Sequence, residues 1–257
     1  MPDTSLEQAP PAILIRDLRK LYGAKAAVDG LNLSVPQGSF FGFLGPNGAG
    51  KTTTIKMLMG LAVPTSGSIE LLGLKMPEQA LEIKRQIGLV PDDTLLFDHL
   101  TGPEFLEFAG RMYGLERALA KARAIELLAL FELSATDRKL ITEYSKGMRK
   151  RLAMAAALIH RPRLFLMDEP FEGVDAVGAR LMKDLLAEQV RHGATIFITS
   201  HVLEVVERLC DRVAIINQGR LVVDSTMEEA RSGSVSLEET FVRVVGAGRS
   251  GESPAWL

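Results

Sequence analysis

The stretch GPNGAGKT at residues 45–52 decides how the rest of this chain is interpreted. It follows an apolar run at residues 40–44 and precedes residues 53–59, whose composition is typical of a helix. The spacing G-x-x-x-x-G-K-T between a strand and a helix predicts a phosphate-binding P-loop. A glycine-rich turn without any ligand is the plainer alternative, but the fixed positions together with both flanking elements favour the phosphate site.

Each residue type in this loop has a chemical reason. Gly45, Gly48 and Gly50 can adopt backbone angles closed to other residues and allow a ligand close to the main chain. The amide groups of the loop then form an anion nest at a helix N-terminus. Lys51 adds a positive charge for the β- and γ-phosphates, and Thr52 adds a hydroxyl for Mg²⁺. The predicted nucleotide-contacting residues of the loop are Gly45, Pro46, Asn47, Gly48, Ala49, Gly50, Lys51, Thr52 and Thr53.

Length and composition agree with a globular α/β protein. A chain of 257 residues suits one large domain or a domain with an inserted subdomain. Hydrophobic residues make up 47% and charged residues 24%, so a substantial core is expected. The net charge of −2 gives no reason to expect broad nucleic-acid binding. One local basic cluster consists of Lys146, Arg149, Lys150 and Arg151.

The single cysteine and the hydropathy limit the remaining classes. With only Cys210, the chain has no intramolecular disulfide and no cysteine-based zinc site, and the composition suits a reducing compartment. The apolar spacing around Cys210 predicts core packing. No apolar run reaches the roughly 18 residues of a transmembrane helix, and residues 1–11 do not resemble a signal peptide. If the protein works at a membrane, another chain must supply the membrane part.

The order of apolar segments predicts an α/β fold with a P-loop NTPase core (RecA-like). We expect a mostly parallel sheet, an N-terminal antiparallel β region and an inserted α-helical subdomain. The predicted strands are residues 12–18, 27–35, 40–44, 68–72, 87–90, 164–167, 194–199, 212–217 and 220–224. The predicted helical segments are residues 53–59, 78–86, 104–113, 117–130, 147–160, 176–191, 201–210, 227–231 and 237–245, with a capping box at residues 101–104.

These elements imply a domain plan. One domain covers residues 12–245, with its core at about 12–95 and 161–225 and the helical subdomain at about 96–160. Residues 226–257 form a C-terminal helical extension and a loose Gly/Ser-rich tail, in which Trp256 has no assigned role. The first 11 residues are expected to be a poorly ordered lead-in.

Several apolar side chains have two open interpretations. Tyr22, in the turn after the first strand, either packs at the sheet edge or stacks on a base. Around the entry to the helical insertion lie Phe97, Leu100, Phe105 and Phe108. Most of these are expected in the core, and the alternative is a docking face for a partner.

A second chemical motif ends the apolar strand at residues 164–167, where Asp168 and Glu169 follow. Two carboxylates at the carboxyl end of a buried parallel strand are costly unless something there needs negative charge. Beside a P-loop, Mg²⁺ is the natural partner for Asp168. Glu169 is then placed to orient or deprotonate a water that attacks the γ-phosphate. An acidic helix N-cap is the structural alternative.

His201 follows another apolar strand, residues 194–199, and is interpreted in the same way. At the end of a strand in a P-loop sheet it faces the nucleotide edge, where it could donate a hydrogen bond to a phosphate oxygen. His99, His160 and His192 have no such context and no metal-ligand spacing, so we interpret them as structural.

Together these segments resemble the ATP-binding-cassette (ABC) ATPases over about residues 12–245. The matching segments are GPNGAGKTT from residue 45, LFLMDEP at 164–170, FEGVD at 171–175 and TSH at 199–201. The resemblance implies that Asp168 holds Mg²⁺, Glu169 is the catalytic carboxylate and His201 is the switch histidine. It also implies that Asp175 reaches across a dimer and that Tyr22 stacks on adenine.

The family-specific segment is YSKGMRKRL at 144–152, which is similar to the signature usually written LSGGQ. Ser145 and the N–H of Gly147 open a predicted helix, whose start carries free N–H groups and partial positive charge. In the family this helix start meets the γ-phosphate bound to the opposite subunit. The resemblance therefore implies a head-to-tail dimer, homo- or heteromeric, with two ATP molecules between the subunits.

Two departures from the family pattern stand out. In the signature, Lys146 replaces the first glycine and Met148 replaces the glutamine. Lys146 could add charge near the γ-phosphate, so function is expected to survive. In IGLVPDD at 87–93, Asp92 aligns with the glutamine that normally reaches Mg²⁺, and a carboxylate there could touch the metal through water.

The subclass that the chain resembles most is the separate ATPase subunit of bacterial ABC-2-type exporters. The carboxylate at Asp92, the YSKGM signature and the ending SLEETFVRVVG at 236–246 carry this similarity. It implies a dimer on the cytoplasmic face of the membrane, docked through residues 92–108 to a transmembrane permease, and no nucleic-acid partner.

Two other functions compete with transport. A soluble ABC ATPase acting on nucleic acid or ribosomes usually has two cassettes in one chain or long coiled coils, and the interval between Lys51 and Asp168 leaves no room for such arms. A catalytically silent regulatory cassette conflicts with the presence of Lys51, Glu169 and His201. The sequence does not indicate the cargo, which the permease would handle.

Overall fold

A computed structural model describes residues 10–93, 96–133, 138–231 and 236–246. The expectations for the start of the lead-in, for the tail beyond residue 246 and for Trp256 lie outside these residues. The described strands are β1 (Ile13–Tyr22), β2 (Lys25–Val35), β3 (Phe40–Leu44), β4 (Ser66–Leu71), β5 (Leu74–Met76), β6 (Ile87–Val90), β7 (Leu164–Asp168), β8 (Thr195–Ser200), β9 (Arg212–Asn217) and β10 (Arg220–Thr226). The described α-helices are α1 (Lys51–Leu58), α2 (Ala80–Lys84), α3 (Gly102–Met112), α4 (Arg117–Leu130), α5 (Lys146–Leu158), α6 (Ala176–Arg191), α7 (Leu203–Leu209), α8 (Met227–Arg231) and α9 (Leu237–Gly246).

The strands form two sheets, as the sequence predicts. The first is the antiparallel N-terminal sheet in the order β2–β1–β4–β5. The second has the order β10–β9–β3–β8–β7–β6, and only its edge pair β10–β9 is antiparallel among the pairings described. The predicted α/β class with a mostly parallel core sheet is therefore confirmed.

The differences from the predicted elements are local. The sequence analysis does not predict β5, in which Leu74 pairs with Leu71 and completes a short hairpin with β4. The predicted helix at 78–86 is confined to Ala80–Lys84, and a 3-10 turn at Ile141–Glu143 was not predicted. Most other boundaries shift by one or two residues, which is the usual uncertainty at element ends.

β3 lies at the centre of the large sheet and is buried on both faces. Phe41 stacks on Phe197 of β8, and both belong to the core between the two sheets. Phe40 and Leu44 point to the opposite face and join the core beneath the helices. Alternation of side chains between two buried faces explains why β3 is apolar at every position. β3 delivers the P-loop to the carboxyl edge of the sheet, where ligands bind in such folds.

The helical insertion consists of α3, α4 and α5. The capping box at its start is confirmed, because Thr101 Oγ1 accepts from the N–H of Glu104 and Glu104 Oε2 accepts from the N–H of Thr101. At its end, the ring of His160 stacks on Tyr113 with centroids 3.5 Å apart and lies 3.1 Å from the carbonyl oxygen of Ile87 in β6. These contacts tie the insertion to the core sheet.

The burial of individual side chains tests the predictions for Cys210 and for the apolar residues at the entry to the insertion. Cys210 is buried in the core, as predicted, and burial raises the pKa of its thiol. Phe105 is also buried, whereas Phe97 and Phe108 are 56% and 42% exposed and do not lie in the core, which leaves the docking-face alternative for them. Their rings pack edge to face with centroids 5.2 Å apart on the surface. Among the described residues, no helix combines the length and hydropathy needed to cross a membrane.

Candidate functional site

The P-loop lies where β3 passes into α1, and close packing dictates two of its glycines. A Cβ on Gly45 would lie 2.3 Å from the carbonyl oxygen of Ile216 in β9. Gly50 has a φ of +113°, and a Cβ there would lie 2.5 Å from the carbonyl oxygen of Ala27. α1 has no side-chain N-cap, so its first amide groups are left for an anion at the helix start.

Lys51 is the first residue of α1 and is nearly buried. Its Nζ donates to the carbonyl oxygens of Gly45, at 2.6 Å, and Pro46, at 3.3 Å. Burial lowers the pKa of the ammonium group, while the carboxylates of Glu169 and Asp168 act in the opposite direction. The lysine therefore lies between the phosphate loop and the acidic pair, as its predicted role requires.

A cavity of about 630 Å³ opens beside the loop and brings most predicted site residues together. Its lining consists of Tyr22, Lys25, Ala27, Pro46, Asn47, Gly48, Gly50, Lys51, Thr52, Thr53, Asp92, Glu169, Glu172 and His201. The predicted residues Gly45, Ala49 and Asp168 are buried and do not line it. Segments from both sheets thus converge on one site.

Glu169 and His201 form a pair in the cavity wall. Glu169 Oε2 lies 3.0 Å from His201 Nδ1 and also accepts from the backbone N–H of His201 at 3.3 Å. An ionised carboxylate only accepts, so this contact places the proton of the ring on Nδ1. Glu169 has a φ of +47°, which is unusual for a residue other than glycine and marks a strained backbone next to the site.

Asp168 lies behind this pair, at the end of β7. Its carboxylate accepts a hydrogen bond from the hydroxyl of Thr199 in β8. Its carbonyl oxygen accepts from Lys150 Nζ, which also donates to the carbonyl oxygens of Pro91 and Asp92. Lys150 is fully buried, and burial lowers the pKa of its ammonium group against the opposing effect of Asp92 and Asp168.

The oxygen groups near the loop suit Mg²⁺ bound with a nucleotide. The hydroxyl-bearing Thr52 and the carboxylate-bearing Asp92 line the cavity, and the buried carboxylate of Asp168 is near enough to Lys51 to raise the pKa of that lysine. The part of the chain that the structure describes contains no cluster of three His, Cys, Asp or Glu that would hold a metal by itself. Mg²⁺ needs no such cage, because it commonly uses one or two carboxylates together with substrate phosphates.

The remaining predicted residues lie outside the cavity, at the starts of two helices. Ser145 caps α5 by accepting from the N–H of Met148 at 3.2 Å. Asp175 caps α6 by accepting from the N–H of Gly178 at 2.9 Å, and this hydrogen bond lowers the pKa of its carboxyl. Gly147 lies against the loop before α6, where a Cβ would lie 3.0 Å from the carbonyl oxygen of Gly173.

The basic cluster of the sequence is not a surface patch. Lys150 is buried, and Arg149 pairs with Asp98 at 2.6 Å. Lys146 is exposed and donates to Glu172 at 2.8 Å, which raises the pKa of the lysine and lowers that of the carboxyl. The positive charges are thus held by acidic or carbonyl groups within the chain.

Sequence reasoning missed several residues of the site. Lys25, Ala27 and Glu172 line the cavity, and Thr199 contacts the acidic pair. Glu172 is separated from Glu169 by only two residues, so its proximity could have been expected. No local pattern singles out Thr199, because its contacts depend on the register between β7 and β8.

Comparison with known proteins gives consistent matches. The family model described as ABC transporter matches residues 28–172, more than half of the chain. The bacitracin transport ATP-binding protein BcrA of Bacillus licheniformis is 42% identical over 207 residues, which cover 80% of this chain and 67% of that protein.

Solved structures agree in fold. A structure of the ATP-binding subunit of an ABC transporter has a TM-score of 0.85 and 31% sequence identity, covering 91% of this chain and 99% of that one. The dimeric structure of MJ0796, a bacterial ABC transporter cassette, has a TM-score of 0.78 and 25% identity, covering 84% of this chain and 98% of that one.

Proposed function

This chain belongs to the ABC transporter family as an ATP-binding, ATP-hydrolysing subunit, and we propose that it drives export through a separate permease. The observation that carries the proposal is the single cavity that joins the P-loop to the Glu169–His201 pair. A phosphate site beside a carboxylate–imidazole pair has the groups that attack of water on a phosphoanhydride requires.

In the proposed reaction, the amides of the loop and Lys51 hold the β- and γ-phosphates, and Tyr22 stacks on adenine. Glu169 orients the attacking water and accepts its proton. His201 Nδ1 already donates to Glu169, so donation from Nε2 to a phosphate oxygen requires the doubly protonated ring. That protonated ring would place positive charge where the transferred phosphoryl group develops negative charge.

We assign Thr52, Asp168 and Asp92 to hold Mg²⁺ when it binds with ATP, Asp92 through water. Bound there, the ion would neutralise charge on the β- and γ-phosphates. The ammonium group of Lys150 donates to the carbonyl oxygens of both Asp92 and Asp168, and these hydrogen bonds fix the loop after β6 relative to the end of β7.

We propose that the active form is a head-to-tail dimer. Ser145, Gly147 and Asp175 lie outside the chain's own cavity, at the starts of two helices. The positive end of α5, which Ser145 and Gly147 open, suits a phosphate, whereas the start of α6 is already capped by the carboxylate of Asp175. The likeness to a dimeric cassette supports this arrangement. Lys146 would then bring its charge to the γ-phosphate of the partner subunit.

The docking surface for the permease is a shallow apolar depression of about 480 Å³ beside the helical insertion. It is lined by Leu96, Phe97, Asp98, His99, Leu100 and Phe108. Asp98 pairs with Arg149 of α5, one turn after the signature serine, so this surface is connected to the helix that would contact ATP in the partner. We propose that an apolar cytoplasmic segment of the permease packs there, which places the subunit at the cytoplasmic face of the membrane.

Purification in detergent, with the neighbouring genes expressed, tests this function. We expect a polytopic membrane protein to co-purify with the wild-type chain and to be lost when Phe97 and Phe108 are both changed to Asp. The matched control is Val222→Asp on β10, because Val222 is an apolar residue that is about as exposed as Phe108. Co-purification with ribosomes instead would favour the nucleic-acid alternative.

A further inference from the structure

Thr199 is a fully buried side chain at the carboxyl end of β8 that touches both members of the acidic pair. It is paired in register with Asp168 of the neighbouring parallel strand β7. Its hydroxyl donates to Asp168 Oδ1 and accepts from the backbone N–H of Glu169 at 3.2 Å. The carbonyl oxygen of Thr199 shares the same N–H at 3.3 Å.

These contacts fully determine the direction of the hydroxyl. A threonine hydroxyl has one proton, and here the proton goes to the carboxylate of Asp168 while a lone pair faces the amide of Glu169. The hydrogen bond on Oδ1 fixes the rotation of the Asp168 carboxylate and leaves Oδ2 for another partner. A hydrogen bond to an ionised carboxylate is about twice as strong as one between neutral groups.

The second contact acts on the backbone of Glu169. This residue adopts a left-handed conformation, with a φ of +47°, which is unfavourable for a residue other than glycine. Anchoring its N–H to Thr199 helps to hold that conformation, in which the side chain reaches His201. One hydroxyl thus orients the buried carboxylate of Asp168 and holds the backbone of Glu169, whose carboxylate lines the cavity.

We propose that Thr199 is a positioning residue for ATP hydrolysis, whose hydroxyl aligns the carboxylate of Asp168 with Mg²⁺ and holds Glu169 toward the attacking water. This inference rests on the proposed roles of Asp168 and Glu169. Thr199 itself has no contact with the cavity, so it acts through these two residues.

Three variants of the full-length chain test the inference. Thr199→Val has nearly the same shape without the hydroxyl, and Thr199→Ser keeps the hydroxyl. Thr195→Val is the matched control, because Thr195 is equally buried at the other end of β8 and its hydroxyl accepts from the N–H of Gly38.

We expect Thr199→Val to lower kcat by about 10- to 100-fold, the usual effect of removing a group that orients a metal ligand, and to raise KM for Mg-ATP by up to about tenfold because binding of the ion is weakened. Thr199→Ser should recover most of kcat, and Thr195→Val should keep it. Binding of a fluorescent ATP analogue supplies the second readout. Affinity in EDTA should be unchanged in Thr199→Val, while the gain in affinity on adding Mg²⁺ should shrink by about tenfold.

Three outcomes would overturn the inference. They are an unchanged kcat in Thr199→Val, a loss of kcat equal to that of Thr195→Val, and a Mg²⁺-dependent gain in affinity equal to that of the wild type. Failure of the proposed function is distinguishable, because the wild-type chain would then show no ATP hydrolysis sensitive to Glu169→Gln.

Discussion

The P-loop cavity and the starts of α5 and α6 both carry residues expected to contact ATP, yet they are built differently. In the cavity, groups from separate strands and loops converge on one space within a single chain. At the helix starts, Ser145 and Asp175 cap their own helices and lie outside that space. The first region is therefore a binding site by itself, whereas the second needs a ligand that another molecule holds, in our proposal a second subunit.

The largest expected effect belongs to the cavity. Glu169→Gln should lower kcat by about 10²- to 10⁴-fold because the amide cannot accept the proton of water. ATP binding should persist, so the variant should accumulate as an ATP-bound dimer. Phosphate release and size-exclusion chromatography with ATP measure the two effects, with exposed Glu188→Gln on α6 as control. Turnover at the wild-type rate would show that Glu169 is not the base.

The next effect concerns the helix start. Ser145→Arg should reduce hydrolysis by about 10²-fold, since the arginine obstructs the contact with the partner's γ-phosphate, while ATP binding by the isolated subunit is kept. Ser145→Asp separates this role from capping, because Asp is an equally good N-cap but repels a phosphate. We expect both variants to be inactive in a phosphate-release assay. If Ser145→Asp keeps normal activity, the serine acts only as a cap and the head-to-tail arrangement loses its support.

The two regions also differ in how well the sequence predicts them. The P-loop was predicted residue by residue, because its geometry depends on glycines and a lysine that are neighbours in the chain. Asp168, Glu169 and His201 could be placed at one sheet edge because each follows an apolar strand. Most of the predicted loop residues, together with Glu169 and His201, do line one cavity.

Contacts between distant segments could not be predicted. Thr199 meets Asp168 only through the register of β7 and β8, and Lys150 meets Asp92 only because α5 packs over β6. The hydrophobic periodicity of the sequence indicates neither the contact of Thr199 with Asp168 nor that of Lys150 with Asp92. For the same reason the sequence could not decide which of the apolar residues at the entry to the insertion, such as Phe97 and Phe108, are exposed, since composition alone does not show which apolar side chains a neighbouring element covers.

Lys150 connects α5 to the P-loop cavity, because it lies in the second turn of that helix and donates to the backbone of Asp92 in the cavity wall. Its removal therefore tests how far the two regions depend on each other. Lys150→Met removes the donor to the carbonyl oxygens of Pro91, Asp92 and Asp168. Leaving such groups without a partner should lower the free energy of unfolding by about 1–3 kcal/mol. Urea denaturation measures this, with Lys121→Met on the exposed face of α4 as control. Equal stability of the two variants would mean that water replaces the ammonium group without cost.

The smallest effect concerns the far end of α5, where His160 fastens the helical insertion to β6. Burial lowers the pKa of His160 to about 4, the positive charge of Arg123 adds to this, and the hydrogen bond to Ile87 opposes it. The unfolded chain, with a histidine pKa near 6.5, therefore binds more protons than the folded chain between these two values. This contribution to stability is complete above about pH 6.5 and declines as the pH falls toward 4.

After allowance for partial solvent screening, the free energy of unfolding should drop by about 1 kcal/mol more in the wild type than in His160→Gln between pH 7 and pH 5. Gln is chosen because its amide can still donate to the carbonyl oxygen of Ile87 but does not titrate. Urea titrations of both proteins at the two pH values give the difference. An equal pH dependence in the two proteins would show that His160 takes up its proton as readily in the folded chain as in the unfolded chain.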